Sequence, residues 1–331
     1  MEDDKILMVH GSGGSATGEL IDTIFDKEFS NKTLDQMEDS AVVSGSGRIA
    51  MTTDSFVVNP PEFRGGDIGR LCVCGTVNDL LMRGAVPKYL TCGFILEEGL
   101  SVDLLKRVVH SMAETAKEAG VEIVAGDTKV VNGHGELYIN TAGVGFVPDG
   151  LEISASQAKV GDQILVSGTM GDHHAAIYSE RMKVNNNIES DNAPLVDMVS
   201  NLIRAGLHIH TLRDITRGGL ATVLKELAES SKKTFTIEDE EIPVTKQVRD
   251  FCGLMGMDPL YMGNEGKLVC ILPKEESDKA LEIIRNSRYG ENACRIGEVT
   301  EESDGHLYAR TRIGGERELD VLQGEGLPRI C

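Results

Sequence analysis

Four aspartates stand where a carboxylate meets small residues or a glycine-rich junction. Asp54 closes the run Met51-Thr52-Thr53-Asp54, and Asp79 follows Asn78 inside an apolar helical stretch. Asp127 belongs to Gly126-Asp127-Thr128-Lys129 at the exit of an apolar run, and Asp214 to Arg213-Asp214-Ile215-Thr216-Arg217-Gly218-Gly219. Singly, each reads more readily as a cap or turn residue than as a ligand. As a group they suit magnesium, which takes oxygen ligands and usually bridges carboxylates to substrate phosphates. Two metal ions clamping a nucleoside triphosphate is the chemistry this set implies. Lys129 and the amides near Gly218 and Gly219 would steady transferred charge. The amide of Asn78 beside Asp79 could add a metal or phosphate contact, or belong to a capped or solvated helix face.

A thiol is the second reactive group. The sequence closes on Gly326-Leu327-Pro328-Arg329-Ile330-Cys331, and from about Thr311 onward Gly314, Gly315, Gly324, Gly326 and Pro328 have few apolar residues between them. A stretch of this kind reads as a mobile tail over 313–331. About twenty flexible residues span roughly 25 Å on average and about 65 Å when extended. Cys331 on such a tether could be loaded at one place and processed at another. Arg329 favours its thiolate, the terminal carboxylate opposes it, and an idle last residue is the bland alternative.

The elements that must position these groups follow an α+β pattern. Residues 8–18 form a glycine-rich loop leading into a helix with the apolar stripe Leu20, Ile21, Ile24 and Phe25; without Gly-Lys-Ser/Thr it is no Walker A loop. Residues 41–58 read as a hairpin around Ser44-Gly45-Ser46-Gly47, and 67–84 and about 102–119 as helices, the second closed by Gly120. Strands are expected at 89–96, 121–125 and 137–147, with Pro148-Asp149-Gly150 as the domain boundary. The second half offers a buried strand at 163–166, an exposed polar loop at 185–192, a helix opened by Gly218-Gly219, and Asn264-Glu265-Gly266-Lys267 entering a strand at 268–272. The expected divisions are an arm and helix over 1–40, a first domain over 41–150, a second over 151–312, and the tail.

Length and composition bound the function. The 331 residues are most simply two domains with their own cores. The net charge of -20 is spread along the chain with no block of Lys or Arg, which argues against nucleic acid as a partner. No apolar run is long enough to span a bilayer, and the acidic start is unlike a signal peptide, so no membrane association and a cytoplasmic location are expected. Seven scattered cysteines include only Cys72-Val73-Cys74 at close spacing, a poor zinc site, and most of the others read as reduced core thiols.

Thr53-Asp54-Ser55, Gly75-Thr76-Val77-Asn78-Asp79, Gly126-Asp127-Thr128-Lys129, Arg213 to Gly219, Asn264-Glu265-Gly266-Lys267 and the terminal Pro-Arg-Ile-Cys resemble the motifs of the HypE family of hydrogenase maturation factors. The resemblance covers nearly the whole chain. The central motifs alone would indicate the wider superfamily of aminoimidazole ribonucleotide synthetase, selenophosphate synthetase and thiamine-monophosphate kinase. The ending at Cys331 narrows it. The resemblance implies a two-domain fold of the aminoimidazole ribonucleotide synthetase type, with an N-terminal mixed sheet at a homodimer interface, a C-terminal α/β sandwich, and ATP bound near the interface.

It further implies that HypF carbamoylates Cys331 and that ATP then drives dehydration of the thiocarboxamide to a thiocyanate. HypC and HypD receive the cyano group for the iron of a [NiFe] hydrogenase. Carried over position by position, Glu265 is the base and Lys129 assists charge movement. Asp54, Asn78, Asp79, Asp127, Thr128, Arg217, Gly218 and Gly219 meet ATP, and Asp54, Asp79, Asp127 and Asp214 meet Mg2+. One departure is visible at Gly171-Asp172-His173-His174, where the family pattern has a final glycine; it bears on the local turn. Two rivals stand beside this reading: a superfamily kinase acting on a free small substrate, and a non-catalytic scaffold that docks through Cys331.

Overall fold

In the computed structural model the described residues are 5–11, 18–36, 45 and 47–322. The loop at 12–17 and the end of the tail with Cys331 lie outside them. The first domain is a four-stranded sheet of β1 (Arg48–Phe56), β2 (Val86–Glu97), β3 (Glu122–Val131) and β4 (Leu137–Val147) in the order β1-β4-β2-β3. Only β2 and β3 run parallel. The first arm of the expected hairpin, 41–44, is outside the described residues, and its second arm, β1, pairs antiparallel with the distant β4. The run Gly126 to Lys129 was expected at a strand exit, yet β3 continues through it.

Helices α1 (Ile68–Met82) and α2 (Val102–Ala119) cover one face of this sheet. Each is opened by a side chain: Asp67 accepts the Arg70 N–H at 2.9 Å, and Ser101 accepts that of Leu104. Gly120 ends α2 in the left-handed region. Helix α1 is buried almost all round because the second domain packs on the side that the sheet leaves free. The opposite sheet face carries exposed Ile49, Met51, Ile95 and Val131, with Met51 74% exposed.

The second domain is a seven-stranded sheet: β5 (Gln163–Val166), β6 (Thr211–Asp214), β7 (Lys233–Glu238), β8 (Leu268–Leu272), β9 (Cys294–Glu302), β10 (Leu307–Arg310) and β11 (Glu316–Glu318). Its order is β11-β10-β7-β9-β5-β8-β6. Helices α3 (Asp172–Met182), α4 (Val196–Arg204), α5 (Gly219–Ser231), α6 (Lys246–Met255) and α7 (Lys274–Asn286) complete it. Strands β5 and β8 are buried along their whole length, which explains their unbroken apolar sequences. Alternate residues feed two cores: Leu165, Leu268 and Cys270 meet Met198 and Leu202, while Val166, Val269 and Ile271 meet Leu220 and Leu224.

Two further expectations need correction. The free tail does not begin at 313, because β11 pairs with β10, Leu319 is buried, and the Leu322 N–H donates to Thr222 Oγ1 at 3.0 Å. The Tyr261 hydroxyl also donates to the Asp320 carbonyl. The polar loop 185–192 is not an exposed loop throughout either: Ile188 is buried with Val248 and Phe251 of the second domain, and Ser190 and Asn192 are buried beside Arg64 and Arg70 of the first. The departure at His174 leaves the turn in place. Gly171 takes the positive φ of 86°, and His174 already lies inside α3 beside Tyr178, where burial pushes its imidazole down to about 4. Among the described residues no helix is long and apolar enough to cross a membrane, and the six described cysteines are free.

Candidate active site

Four chain segments converge on one small cavity of about 140 Å³ between the domains. Strand β1 contributes Asp54, helix α1 Gly75 and Asp79, and the end of β6 contributes Asp214. The loop entering β8 contributes Glu265. Thr216 and Arg217 close one side, and Gly218 and Gly219 form the turn behind them at φ values of 82° and 67°. A Cβ on Gly219 would sit 2.5 Å from the Leu260 carbonyl oxygen, so the turn needs glycine there.

The carboxylates raise one another's proton affinity. Asp214 is pushed up to about 7 by burial and then by Asp79, with Asp54 adding to it and Arg213 opposing. Burial pushes Glu265 well above the carboxylate range, reinforced by Asp214, Asp191 and Asp54 and opposed by Arg217. Asp54 and Asp79 are raised by burial as well. Thr52 donates to Asp79, and the Ser55 N–H donates to Asp54. Such a cluster calls for a cation. Among the described residues no three of its acidic groups form a metal cage by themselves. Magnesium fits this arrangement when phosphate oxygens and water complete its shell.

Three of the expected residues lie elsewhere in the chain. Asp127, Thr128 and Lys129 are on β3, at the far edge of the first sheet. The register Ser55, Asn140, Gly93, Asp127 puts three strand spacings, about 14 Å, between Ser55 and Asp127. Lys129 donates to Asp127 at 2.7 Å and holds its carboxyl below the usual range, and both side chains lie on the uncovered sheet face. Asn78 is not at the cavity. It is one helical position, about 100°, from Asp79, and its amide clasps residues 193–195. Sequence reasoning missed Asp191, whose carboxylate accepts the Glu265 N–H at 2.9 Å. Its polar neighbours gave no sign of burial.

Comparison with known proteins follows the same two-domain division. The N-terminal domain of the AIR synthase related proteins matches residues 37–147, and their C-terminal domain matches 159–310. The chain is 42% identical to carbamoyl dehydratase HypE of Rhodobacter capsulatus, over 100% of this chain and 99% of that protein. A crystal structure of the hydrogenase maturation protein HypE in complex with ATP is 46% identical and superposes with a TM-score of 0.95, covering 98% of this chain and 99% of that one. A HypE–HypF complex is also 46% identical, with a TM-score of 0.81 over 92% of this chain and 99% of that one.

Proposed function

The chain belongs to the HypE family of AIR synthase related proteins, and on that premise we propose that it is an ATP-dependent carbamoyl dehydratase of hydrogenase maturation. Its substrate is the carbamoyl group carried on Cys331, and its product is a thiocyanate on the same sulfur. HypF is the carbamoyl donor, in keeping with the HypE–HypF complex of a relative. A HypC–HypD pair is the cyanide acceptor, for the iron of a [NiFe] hydrogenase, in the cytoplasm.

The chemistry follows from the weakness of an amide oxygen as a leaving group. That oxygen attacks the γ-phosphorus of ATP, ADP departs, and nitrogen releases one proton. In the phosphorylated imidate the carbon–oxygen bond then breaks, phosphate leaves, the second N–H proton goes to a base, and the C≡N bond is complete. Glu265 is the base: a buried carboxyl with raised proton affinity is suited to take a proton from nitrogen. Asp54, Asp79 and Asp214 would hold magnesium, which when bound neutralises charge on the triphosphate. Arg217 and the backbone amides of the Gly218-Gly219 turn would meet the phosphates.

Asp127, Thr128 and Lys129 reach a nucleotide only from a second copy. The uncovered apolar face of the first sheet suits a homodimer that places them at the neighbour's cavity.

The observation that carries the reading is the anchor of the tail. Leu322 is held by Thr222, five residues beyond Arg217 at the cavity. The nine residues from there to Cys331 can span about 30 Å, ample to bring the thiol to Glu265.

The test is the intact mass of the protein after incubation with HypF, carbamoyl phosphate and ATP, beside Cys331→Ala. One carbamoyl adduct on Cys331, followed by ATP-dependent loss of one water, is expected. ATP consumption without an adduct would transfer the assignment to a kinase of free substrates.

A further inference from the structure

The loop that carries Glu265 is held by a buried ion pair for which the reaction has no direct use. Asp191 Oδ1 accepts the backbone N–H of Glu265 at 2.9 Å, while its Oδ2 faces Lys267 Nζ at 3.5 Å. The two side chains are only 4% and 9% exposed. Two residues on, the Ala193 N–H donates to the Glu265 carbonyl, so both backbone polar groups of Glu265 are held by residues 191–193. Asn78 in turn fixes this segment, donating to the Ala193 carbonyl and accepting from the Leu195 N–H. On the other flank Asn264 donates its N–H to the Ile215 carbonyl, next to Asp214.

A buried ion pair is a poor source of stability, because desolvation offsets most of its attraction. Here it supplies direction. The backbone of residue 265 sets where its carboxylate points, and among the described residues Asp191 is the one side chain that accepts that N–H. Lys267 Nζ faces Oδ2 of Asp191, which leaves Oδ1 turned toward the loop.

We propose that Asp191 is a positioning residue for the dehydration step, holding Glu265 through its backbone amide with Lys267 as its counter-ion. The inference rests on the reading of Glu265 as the base. It separates from nucleotide binding, because Asp191 lies outside the lining of the cavity where the other carboxylates converge.

Removing Asp191 alone would strand a buried cation and confuse folding with function. Two double variants avoid this, because both remove the ion pair. Asp191→Asn with Lys267→Met keeps an oxygen acceptor for the Glu265 N–H; Asp191→Leu with Lys267→Met does not. Each is carbamoylated by HypF in the full-length chain, and the single-turnover rate of water loss is followed by intact mass, with ATP affinity measured by calorimetry.

The leucine pair should dehydrate about tenfold or more slowly than the asparagine pair, since small displacements of a reacting group cost this much. ATP affinities should agree within about twofold, as expected when ground-state binding is untouched. Equal rates, or a difference that appears in ATP affinity, would overturn the proposal. Glu265→Gln run alongside keeps the two readings apart: a normal rate there removes the base itself, whereas an inactive Glu265→Gln with equal double variants removes only the role of Asp191.

Discussion

The hydroxyl of Thr52 donates to Asp79 Oδ2 across 2.7 Å and so ties strand β1 to helix α1 at the edge of the cavity. Burial raises the proton affinity of Asp79, and this hydrogen bond is the largest influence opposing it. Thr52→Val keeps the shape and removes the donor. A hydrogen bond to a charged group contributes about 1.5 kcal/mol, so Mg·ATP affinity should fall roughly tenfold. Thr52→Ser should keep most of it. Calorimetric titration with Mg·ATP checks both; equal affinity in the valine variant would show that Asp79 does not need its donor.

Asp214 gives the protein a pH dependence opposite to that of an ordinary surface carboxylate. Its folded-state value lies near 7, above the ordinary value of 3.8, because of burial and then Asp79. Between those values the unfolded chain has released a proton that the folded chain retains. Stability therefore falls as pH rises through this window, and the whole loss is present above 7. In EDTA, melting temperature should decline from pH 5 to 8, and Asp214→Asn should flatten the decline. Mg·ATP should stabilise more at pH 8 than at pH 5.5, since it binds the ionised cluster. A melting temperature independent of pH in both proteins would contradict the burial of this charge.

Gly266 sits where two segments nearly touch: a Cβ there would lie 1.9 Å from the Asp191 carbonyl oxygen. Gly266→Ala must push residues 191–193 away from the loop of Glu265. A loss of about 1–3 kcal/mol is the usual scale for overpacking. Denaturant melts give the stability, and the residual dehydration rate of the folded fraction should fall as well. A stable, fully active alanine variant would mean that this contact relaxes freely.

What could be read from the sequence divides along a physical line. Helix α2 was legible to the residue because its ends are local chemistry, a Ser101 cap and a left-handed Gly120. Strands β5 and β8 were legible because burial on both faces leaves continuous apolar runs. Asp54, Asp79, Asp214 and Glu265 stood out by their glycine-rich or small neighbours, and the fold does bring them together. Asn78 and Asp191 were misjudged because helix phase and burial by segments distant in sequence are not written in neighbouring residues. The anchor of the tail was missed for a similar reason: it depends on backbone pairing by β11 and one buried side chain, Leu319. Asp127 and Lys129 are the remaining case, since no single chain brings them to the cavity.

That last separation supports a decisive mixing experiment. If the exposed face of Ile49, Met51, Ile95 and Val131 joins two copies, each cavity takes Asp54 from its own chain and Lys129 from its neighbour. Met51→Glu should give monomers in sedimentation and abolish ATP turnover, because a charge facing its own symmetry mate resists burial. Asp54→Asn and Lys129→Ala homodimers should each be inactive. In an unfolded and refolded equal mixture, half of the dimers are mixed, and each mixed dimer has one cavity carrying both substitutions and one carrying neither. About one quarter of wild-type activity should return, as symmetric pairing requires. If Lys129 served its own cavity, every site in the mixture would carry one lesion and the activity would stay at that of the separate variants.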